Sequence, residues 1–218
     1  MKKLFLLIPV LLLFSFKPKE KRHTIEITTE YGVIKLMLYN ETPEHRDNML
    51  KLANEHFYDS TLFHRVIQGF MIQGGDPDSK HAAAGAMLGS GDVGYTIPAE
   101  FRPELIHKKG ALAAARNNNP EKRSSGCQFY IVQGKKLTDA ELENTEKRSG
   151  IKYTPEQREA YKTLGGTPQL DQGYTVYGEV FEGLNIVDSI AQVTTAAGDR
   201  PLKDVPMFMK EGKKIKVK

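Results

Sequence analysis

Apolar and polar residues alternate in two neighbouring segments near the start of the chain. Every second side chain is apolar in residues 25–28 and again in residues 34–38. This period of two is typical of strands that bury one face, so the two segments predict a β-hairpin. Thr42 and Pro43 then supply a helix N-cap and a first-turn proline, and apolar residues recur every four positions, which predicts a helix over residues 43–56.

Short apolar runs separated by glycine-rich segments continue this pattern. The predicted strands cover residues 63–67, 70–73, 111–115, 128–132, 175–180 and 214–217. Apolar spacing over residues 184–191 predicts a second helix. The expected fold class is mainly β: a closed antiparallel β-barrel of about eight strands capped by two α-helices. Because side chains fill so small a barrel, a binding site should lie on its outer wall.

A charged stretch of about residues 135–168 interrupts the β pattern. A threonine stands three residues before Glu141, and another stands three residues before Gln157, which is the spacing of a capping box. Glycines at position 150 and at 165–166 are natural helix ends. We expect an inserted helical hairpin whose self-capped helices need little from the barrel. It is either a solvated decoration or an additional contact for large substrates.

The first residues have the pattern of a secretory leader. Met1-Lys2-Lys3 precedes an apolar run over residues 4–16, and roughly 20 residues would be needed to span a membrane. We therefore expect a signal peptide at 1–16, a solvated linker at 17–22 and one domain at 23–218. The expected location is exported, in the periplasm or cell envelope, with a retained N-terminal membrane anchor as the alternative.

Composition excludes several classes of protein. The 218 residues are 39% hydrophobic and 27% charged, which suits a single globular domain. The net charge of +4 would fall by two with the leader lysines, so we expect no nucleic-acid partner. One cysteine, Cys127, forbids an internal disulfide and should pack as a small hydrophobe. The histidines show no metal-ligand spacing, and we expect a monomer without metal or other cofactor.

The most informative segment is 63–76, Phe-His-Arg-Val-Ile-Gln-Gly-Phe-Met-Ile-Gln-Gly-Gly-Asp. It sets one arginine and an amide beside large apolar side chains, which predicts an apolar notch with a donor-rich rim, suited to a proline ring and its imide bond. The segment closely resembles the signature strand pair of the cyclophilin family of peptidyl-prolyl isomerases. Residues 110–131 are similar to the family's central substrate-binding stretch, and residues 170–180 resemble the strand that follows it.

The resemblance implies a peptidyl-prolyl cis-trans isomerase that acts on unfolded or partly folded, proline-containing polypeptides. Rotation of an X-Pro amide must cross a barrier of roughly 18–20 kcal/mol, because the nitrogen lone pair is delocalised into the carbonyl. An arginine that donates toward this nitrogen would stabilise the twisted state. The implied catalytic residues are Arg65 and Gln73. The implied substrate-binding residues are Phe70, Met71, Ala115, Arg116, Gln128, Tyr130, Leu170 and Tyr174.

Four positions depart from the family pattern, and at one of them, Arg116, other members often have asparagine. Tyr130 stands where phenylalanine is common and is expected to add a hydroxyl at the rim, and Tyr174 stands where many members have histidine. Gln169 stands where cyclosporin-sensitive members have tryptophan, and the chain contains no tryptophan. We therefore expect weak or no cyclosporin binding.

Two other functions remain open from the sequence. The same groove could belong to a non-catalytic, proline-peptide-binding chaperone or scaffold. Residues 89–94 also fit the G-x-G-x-x-G spacing of nucleotide-binding enzymes, but they lack the flanking strand and helix, so a loop is expected there. If the enzyme reading holds, replacing 135–166 by a short linker should preserve activity on small peptides and lower it on unfolded proteins.

Overall fold

The computed structural model describes residues 20–217, and the predicted signal peptide lies outside these described residues. Residues 17–19 of the predicted linker also lie outside the described residues, whereas Lys21 and Arg22 of that linker form a short strand that pairs with Ile215–Lys216. Over the described part of the chain, none of the helices has both the length and the apolar character that crossing a bilayer requires.

Strands and helices follow the chain in an order close to the predicted one. The strands are β1 (Lys21–Arg22), β2 (Thr24–Thr29), β3 (Gly32–Leu38), β4 (Thr61–Leu62), β5 (Arg65–Ile67), β6 (Met71–Gly74), β7 (Thr96–Ile97), β8 (Ala111–Ala114), β9 (Ser124–Ser125), β10 (Phe129–Val132), β11 (Val176–Glu182), β12 (Pro206–Glu211) and β13 (Ile215–Lys216). The α-helices of residues 20–217 are α1 (Pro43–Asn54), α2 (Asp139–Ser149), α3 (Pro155–Thr163) and α4 (Leu184–Ile190).

The central sheet has nine antiparallel strands within residues 20–217. Their order is β4-β12-β2-β3-β11-β8-β10-β6-β5. The prediction of a mainly β fold with two further helices in the insertion is confirmed in these broad terms. The expected closed barrel of about eight strands is not what the structure shows: the sheet is a curled half-barrel, and its hydrogen-bonding order ends at β4 and β5.

The first hairpin forms as its local pattern predicts, whereas the first helix depends on a contact with a distant residue. Strands β2 and β3 pair in unbroken register from Thr24–Met37 to Thr29–Gly32, as their alternation predicts. Helix α1 begins at Pro43, but the Thr42 side chain makes no capping hydrogen bond, so that detail of the prediction is wrong. The Glu100 carboxylate accepts the first-turn amides of α1 instead.

The sheet carries a separate apolar cluster on each face. The main core buries Ile72, Phe129 and Leu112 under helices α1 and α4. Neighbouring positions on the same strands, Met71 and Tyr130, belong to a second cluster. Because successive side chains of a strand point to opposite faces, the second cluster lies on the face turned away from the main core. The candidate site residues lie on that outer face.

The insertion folds as the expected helical hairpin, and both capping boxes are present at the N-termini of α2 and α3. It is nevertheless not a self-sufficient decoration. Tyr161 of α3 and Leu142 of α2 are fully buried, in a third apolar cluster with Ile106 and Tyr153. The expectation that these helices need little from the rest of the domain is therefore wrong, because Ile106 lies outside the insertion.

Candidate active site

Strands β5 and β6 bring the two predicted catalytic residues together. Arg65 pairs with Gln73 across this hairpin, and Ile67 pairs with Met71. Directly paired residues on neighbouring strands project to the same face. The guanidinium and the amide therefore lie side by side, and Met71 lies two residues away on the same face.

The next two strands extend this row into a groove. Tyr130 of β10 is paired with Gln73 on one side and with Ala113 of β8 on the other. The groove has a volume of about 820 Å³. Of the predicted site residues, it is lined by Arg65, Phe70, Met71, Gln73, Ala115, Arg116, Tyr130, Leu170 and Tyr174. The tenth, Gln128, does not line it.

Arg65 is held by a residue that sequence reasoning missed. Its Nε donates to Asp199 Oδ2 at 3.2 Å, and both side chains are 42% exposed. The backbone carbonyl of Asp199 also accepts from the Val66 amide at 2.8 Å, which fixes the 194–202 loop beside β5. No local pattern marks Asp199 as the partner, because the loop is irregular and 134 residues separate the pair.

Gln128 stands behind Gln73. The Gln73 amide donates to Gln128 Oε1 at 3.1 Å, and Gln128 Nε2 donates to the carbonyls of Gly89 and Gly91 at 3.0 and 2.8 Å. Gln128 therefore orients Gln73 and anchors the glycine loop. It also lines a second pocket, which shares Gln73 and Ala115 with the groove, and its direct contact with substrate stays a prediction. The wall formed by residues 84–89 was also missed, because that glycine- and alanine-rich loop has no periodic signal.

Arg116 and Tyr174 contact each other in the lining of the groove. The Arg116 guanidinium carbon lies 4.7 Å from the centroid of the Tyr174 ring, and its Nε donates to the Gly173 carbonyl at 2.9 Å. A cation over an aromatic face is attractive, and the stacking fixes both side chains. The role of Arg116, with Ala115, in docking the substrate backbone stays a prediction.

The Tyr130 hydroxyl is not at the rim, contrary to expectation. It lies 2.9 Å from His107 Nε2, and Tyr130 is only 4% exposed. His107 in turn lies 2.7 Å from the buried Asp171 carboxylate through Nδ1. Burial raises the pKa of the Tyr130 phenol well above its ordinary value, so this hydroxyl stays protonated. The ring of Tyr130 faces the groove while its polar end is bound in the interior.

Cys127 and residues 89–94 are the sequence features that could suggest other chemistries, and the structure defines their surroundings. Burial raises the pKa of the Cys127 thiol to about 11, so this residue packs as predicted and is not an activated nucleophile. Residues 89–94 form a loop, as predicted, and two of its carbonyls are engaged by Gln128. Throughout residues 20–217, no three His, Cys, Asp or Glu residues are grouped so that they could hold a metal ion.

Comparisons with known proteins are consistent with this geometry. A family model described as cyclophilin type peptidyl-prolyl cis-trans isomerase/CLD matches residues 24–210. A Staphylococcus epidermidis protein that carries the name of a peptidyl-prolyl cis-trans isomerase is 36% identical over 163 residues, which is 75% of this chain and 77% of that protein. A Streptococcus pyogenes serotype M6 protein named as a bifunctional phosphatase/peptidyl-prolyl cis-trans isomerase is 38% identical over 184 residues.

The streptococcal match covers 83% of this chain but only 37% of that protein, so the chain spans little more than a third of that relative. Among solved structures, a Cryptosporidium parvum cyclophilin type peptidyl-prolyl cis-trans isomerase crystallised in the presence of the dipeptide Ala-Pro has a TM-score of 0.63. It is 22% identical, and the alignment covers 87% of this chain and 99% of that one. At this identity the likeness concerns the fold.

Proposed function

This chain belongs to the cyclophilin-type peptidyl-prolyl cis-trans isomerases, and we propose that it accelerates X-Pro bond rotation during the folding of exported proteins. The observation that carries the proposal is the placement of Arg65 beside Gln73 at the rim of an apolar groove. A binding module would need only the apolar pocket, whereas an isomerase needs a donor directed at the amide that twists.

The groove offers each group that the reaction requires. Phe70, Met71 and Leu170 give an apolar site for the proline ring. Among residues 20–217, the Arg65 guanidinium donates one hydrogen bond, from Nε to Asp199. Its two terminal amino groups therefore remain available to a ligand. As the amide twists, the lone pair localises on the prolyl nitrogen, and a preorganised cationic donor stabilises that state more than the planar ground state.

The proposed partners are unfolded or partly folded polypeptides that contain proline. The Ala-Pro dipeptide used with the related C. parvum protein supports a proline-peptide ligand. The apolar lining and the cationic residues at the rim supply complementary contacts for the ring and for peptide carbonyls. No bond is broken in the reaction, so the protein needs to supply only binding and charge stabilisation.

A protease-coupled assay on a short Ala-Pro peptide tests the proposed activity. We expect Arg65→Ala to lower kcat/KM by about 10²- to 10³-fold, which is the scale for loss of one preorganised charge-stabilising donor. Arg65→Lys should recover only part of this loss, because an ammonium lacks the planar fork of donors. Peptide affinity should fall much less than turnover in Arg65→Ala, since the guanidinium acts mainly on the twisted state.

Phe70→Ala separates catalysis from capture. If the protein is an isomerase, the wild type accelerates isomerisation, and Phe70→Ala lowers kcat/KM because the proline ring is bound less firmly. In a capture module Phe70→Ala would abolish protection of unfolded clients, and Arg65→Ala would leave that protection intact. Wild-type protein that binds proline peptides without accelerating their isomerisation would contradict the proposed function.

The proposed export rests on the leader pattern of residues 1–16. We expect the mature protein to begin after this apolar run and to be recovered in the soluble envelope fraction. N-terminal sequencing of the purified protein measures this directly. An intact Met1 in the membrane fraction would favour the retained anchor instead.

A further inference from the structure

A chain of buried polar side chains connects the inserted hairpin to the wall of the groove. The hydroxyls of Tyr153 and Tyr161 donate to Asp171 Oδ2 at 2.9 and 2.5 Å. Asp171 Oδ1 lies 2.7 Å from His107 Nδ1, and His107 Nε2 lies 2.9 Å from the Tyr130 hydroxyl. None of the five residues is more than 8% exposed, so each hydrogen bond lies in the interior.

The direction of each hydrogen bond follows from the donors available. Asp171 accepts from the two tyrosine hydroxyls and from the backbone amide of His107 at 2.8 Å, which suits an ionised carboxylate. Burial and the nearby Asp171 carboxylate raise the pKa of Tyr153 and Tyr161, so both hydroxyls keep their protons and donate. In a neutral His107 whose Nδ1–H donates to Asp171, Nε2 is left to accept from Tyr130.

Asp171 also fixes the backbone next to the groove. It directly follows Leu170, which ends the short 3-10 helix Pro168–Leu170 and lines the groove. The Tyr153 hydroxyl lies 3.1 Å from the Pro168 carbonyl as well as 2.9 Å from Asp171. One side chain of the insertion therefore touches both ends of the turn that presents Leu170.

Tyr130 is the point at which this chain of contacts reaches the groove. Its ring belongs to the outer apolar cluster with Met71 and packs edge-on against Tyr174 at 6.0 Å. It is also paired with Gln73 across the sheet. A ring whose far end is hydrogen-bonded has less freedom to tilt, and small shifts of binding groups lower reaction rates strongly.

We infer that the inserted hairpin is a positioning element for the proline groove, in which Tyr153 and Tyr161 act through Asp171 and His107 on Tyr130. This inference rests on the proposed isomerase function. Neither tyrosine lines the groove, so both are positioning residues rather than catalytic ones. The effect of the hairpin on Tyr130 does not depend on substrate size. An additional contact for large substrates, in contrast, would affect only those substrates.

The first test removes both hydroxyls and leaves the rings in place. We expect the double variant Tyr153→Phe/Tyr161→Phe to lose about 3- to 10-fold in kcat/KM on a short Ala-Pro peptide. Tyr58→Phe is the matched control: Tyr58 is 2% exposed and its hydroxyl donates to the Cys127 carbonyl in the main core. The control should lose stability and keep its kcat/KM.

The second test asks whether the effect travels through Tyr130. In a Tyr130→Phe background, removing the two insertion hydroxyls should change kcat/KM by less than about 2-fold, because coupled residues are not additive. The ring ¹⁵N shifts of His107 in labelled protein should also differ between wild type and the double variant. Full additivity with Tyr130→Phe, or a wild-type kcat/KM in the folded double variant, would overturn the inference.

These outcomes are distinct from failure of the proposed function. A wild type without isomerase activity would refute that function, and the dissociation constant for the same peptide would then replace kcat/KM in both tests. If the double variant does not fold, the single variants Tyr153→Phe and Tyr161→Phe replace it in the tests, because each keeps one hydroxyl bound to Asp171. Two folded single variants with wild-type values would overturn the inference.

Discussion

At the scale of single residues, the site depends on contacts that orient its charged and polar groups. Asp199 holds Arg65 Nε from a loop in which it has a positive φ of 63°. With both side chains 42% exposed, such a pair contributes little to stability, about 0–1 kcal/mol at most. Its main consequence is that the guanidinium fork has one orientation before the peptide binds.

Asp199→Asn tests this orienting contact. Asparagine tolerates the positive φ but offers a weaker, uncharged acceptor, so we expect kcat/KM to fall about 3- to 10-fold with little change in melting temperature. Glu182→Gln, which weakens the exposed pair with Lys35 away from the groove, should leave kcat/KM unchanged. Equal kcat/KM in Asp199→Asn and wild type would show that Arg65 needs no such partner.

Gln169 decides the expected response to cyclosporin. It is exposed in the short 3-10 helix beside Leu170, where an indole would add an N–H donor and a large apolar face. Lack of such a contact costs about 2–4 kcal/mol, or roughly 30- to 1,000-fold in affinity. We expect Gln169→Trp to strengthen inhibition and Gln169→Leu, which lacks the donor, to strengthen it less. Nanomolar inhibition of the wild type would contradict this prediction.

At the scale of elements, the insertion combines local and tertiary stabilisation. Each of its helices is capped by its own capping box. Tyr161 and Leu142 are nevertheless fully buried, and they belong to the same apolar cluster as Ile106. Replacing residues 135–166 by a linker would remove two donors from the buried Asp171. We therefore no longer expect such a variant to keep full activity on small peptides, because an undersatisfied buried carboxylate is costly.

Thr154→Ala measures how much the local cap contributes. At the start of α3, the Thr154 hydroxyl accepts a hydrogen bond from the backbone amide of Gln157. Loss of such a cap lowers the free energy of unfolding by about 0.5–2 kcal/mol. We expect a lower free energy of unfolding in chemical denaturation, while Thr154→Ser should remain close to wild type because it retains the hydroxyl. An unchanged free energy of unfolding in Thr154→Ala would indicate that packing of Tyr161 is sufficient to stabilise the helix.

At the scale of the whole molecule, one buried histidine should make stability depend on pH. His64 is 3% exposed, and both of its ring nitrogens lack a hydrogen-bond partner among residues 20–217. Burial lowers its pKa from the ordinary 6.5. As the pH falls below about 6.5, the unfolded chain therefore binds a proton before the folded one does, and folding loses stability.

The expected result is a melting temperature that falls between pH 7.5 and pH 5.5, and falls less in His64→Gln. Well above pH 6.5 the histidine is neutral in both states, so the two states bind the same number of protons at this site and this contribution to stability is fully present. His56→Asn is the matched control, because it replaces a histidine whose side chain is 77% exposed instead of buried. Equal pH dependence in His64→Gln and wild type would assign the loss to other groups.

The sequence by itself determined the elements whose signals are local. Alternation predicted the β2–β3 hairpin, and two capping boxes predicted α2 and α3. The 63–76 motif predicted the strand pair that sets Arg65 beside Gln73. These predictions succeed because hydrogen bonds and burial within a few residues depend on the residue types in that window.

The tertiary structure decided which distant groups meet. Glu100 lies 56 and 55 residues beyond the two α1 amides from which it accepts, whereas the nearest candidate, Thr42, makes no capping hydrogen bond. Strand β12 was not predicted, because Pro206 and its methionines are weak strand signals, yet it pairs with β2. The partner of Arg65 and the polar chain behind Tyr130 likewise exist only once the sheet has curled. Such contacts depend on the relative placement of whole strands, which no local pattern records.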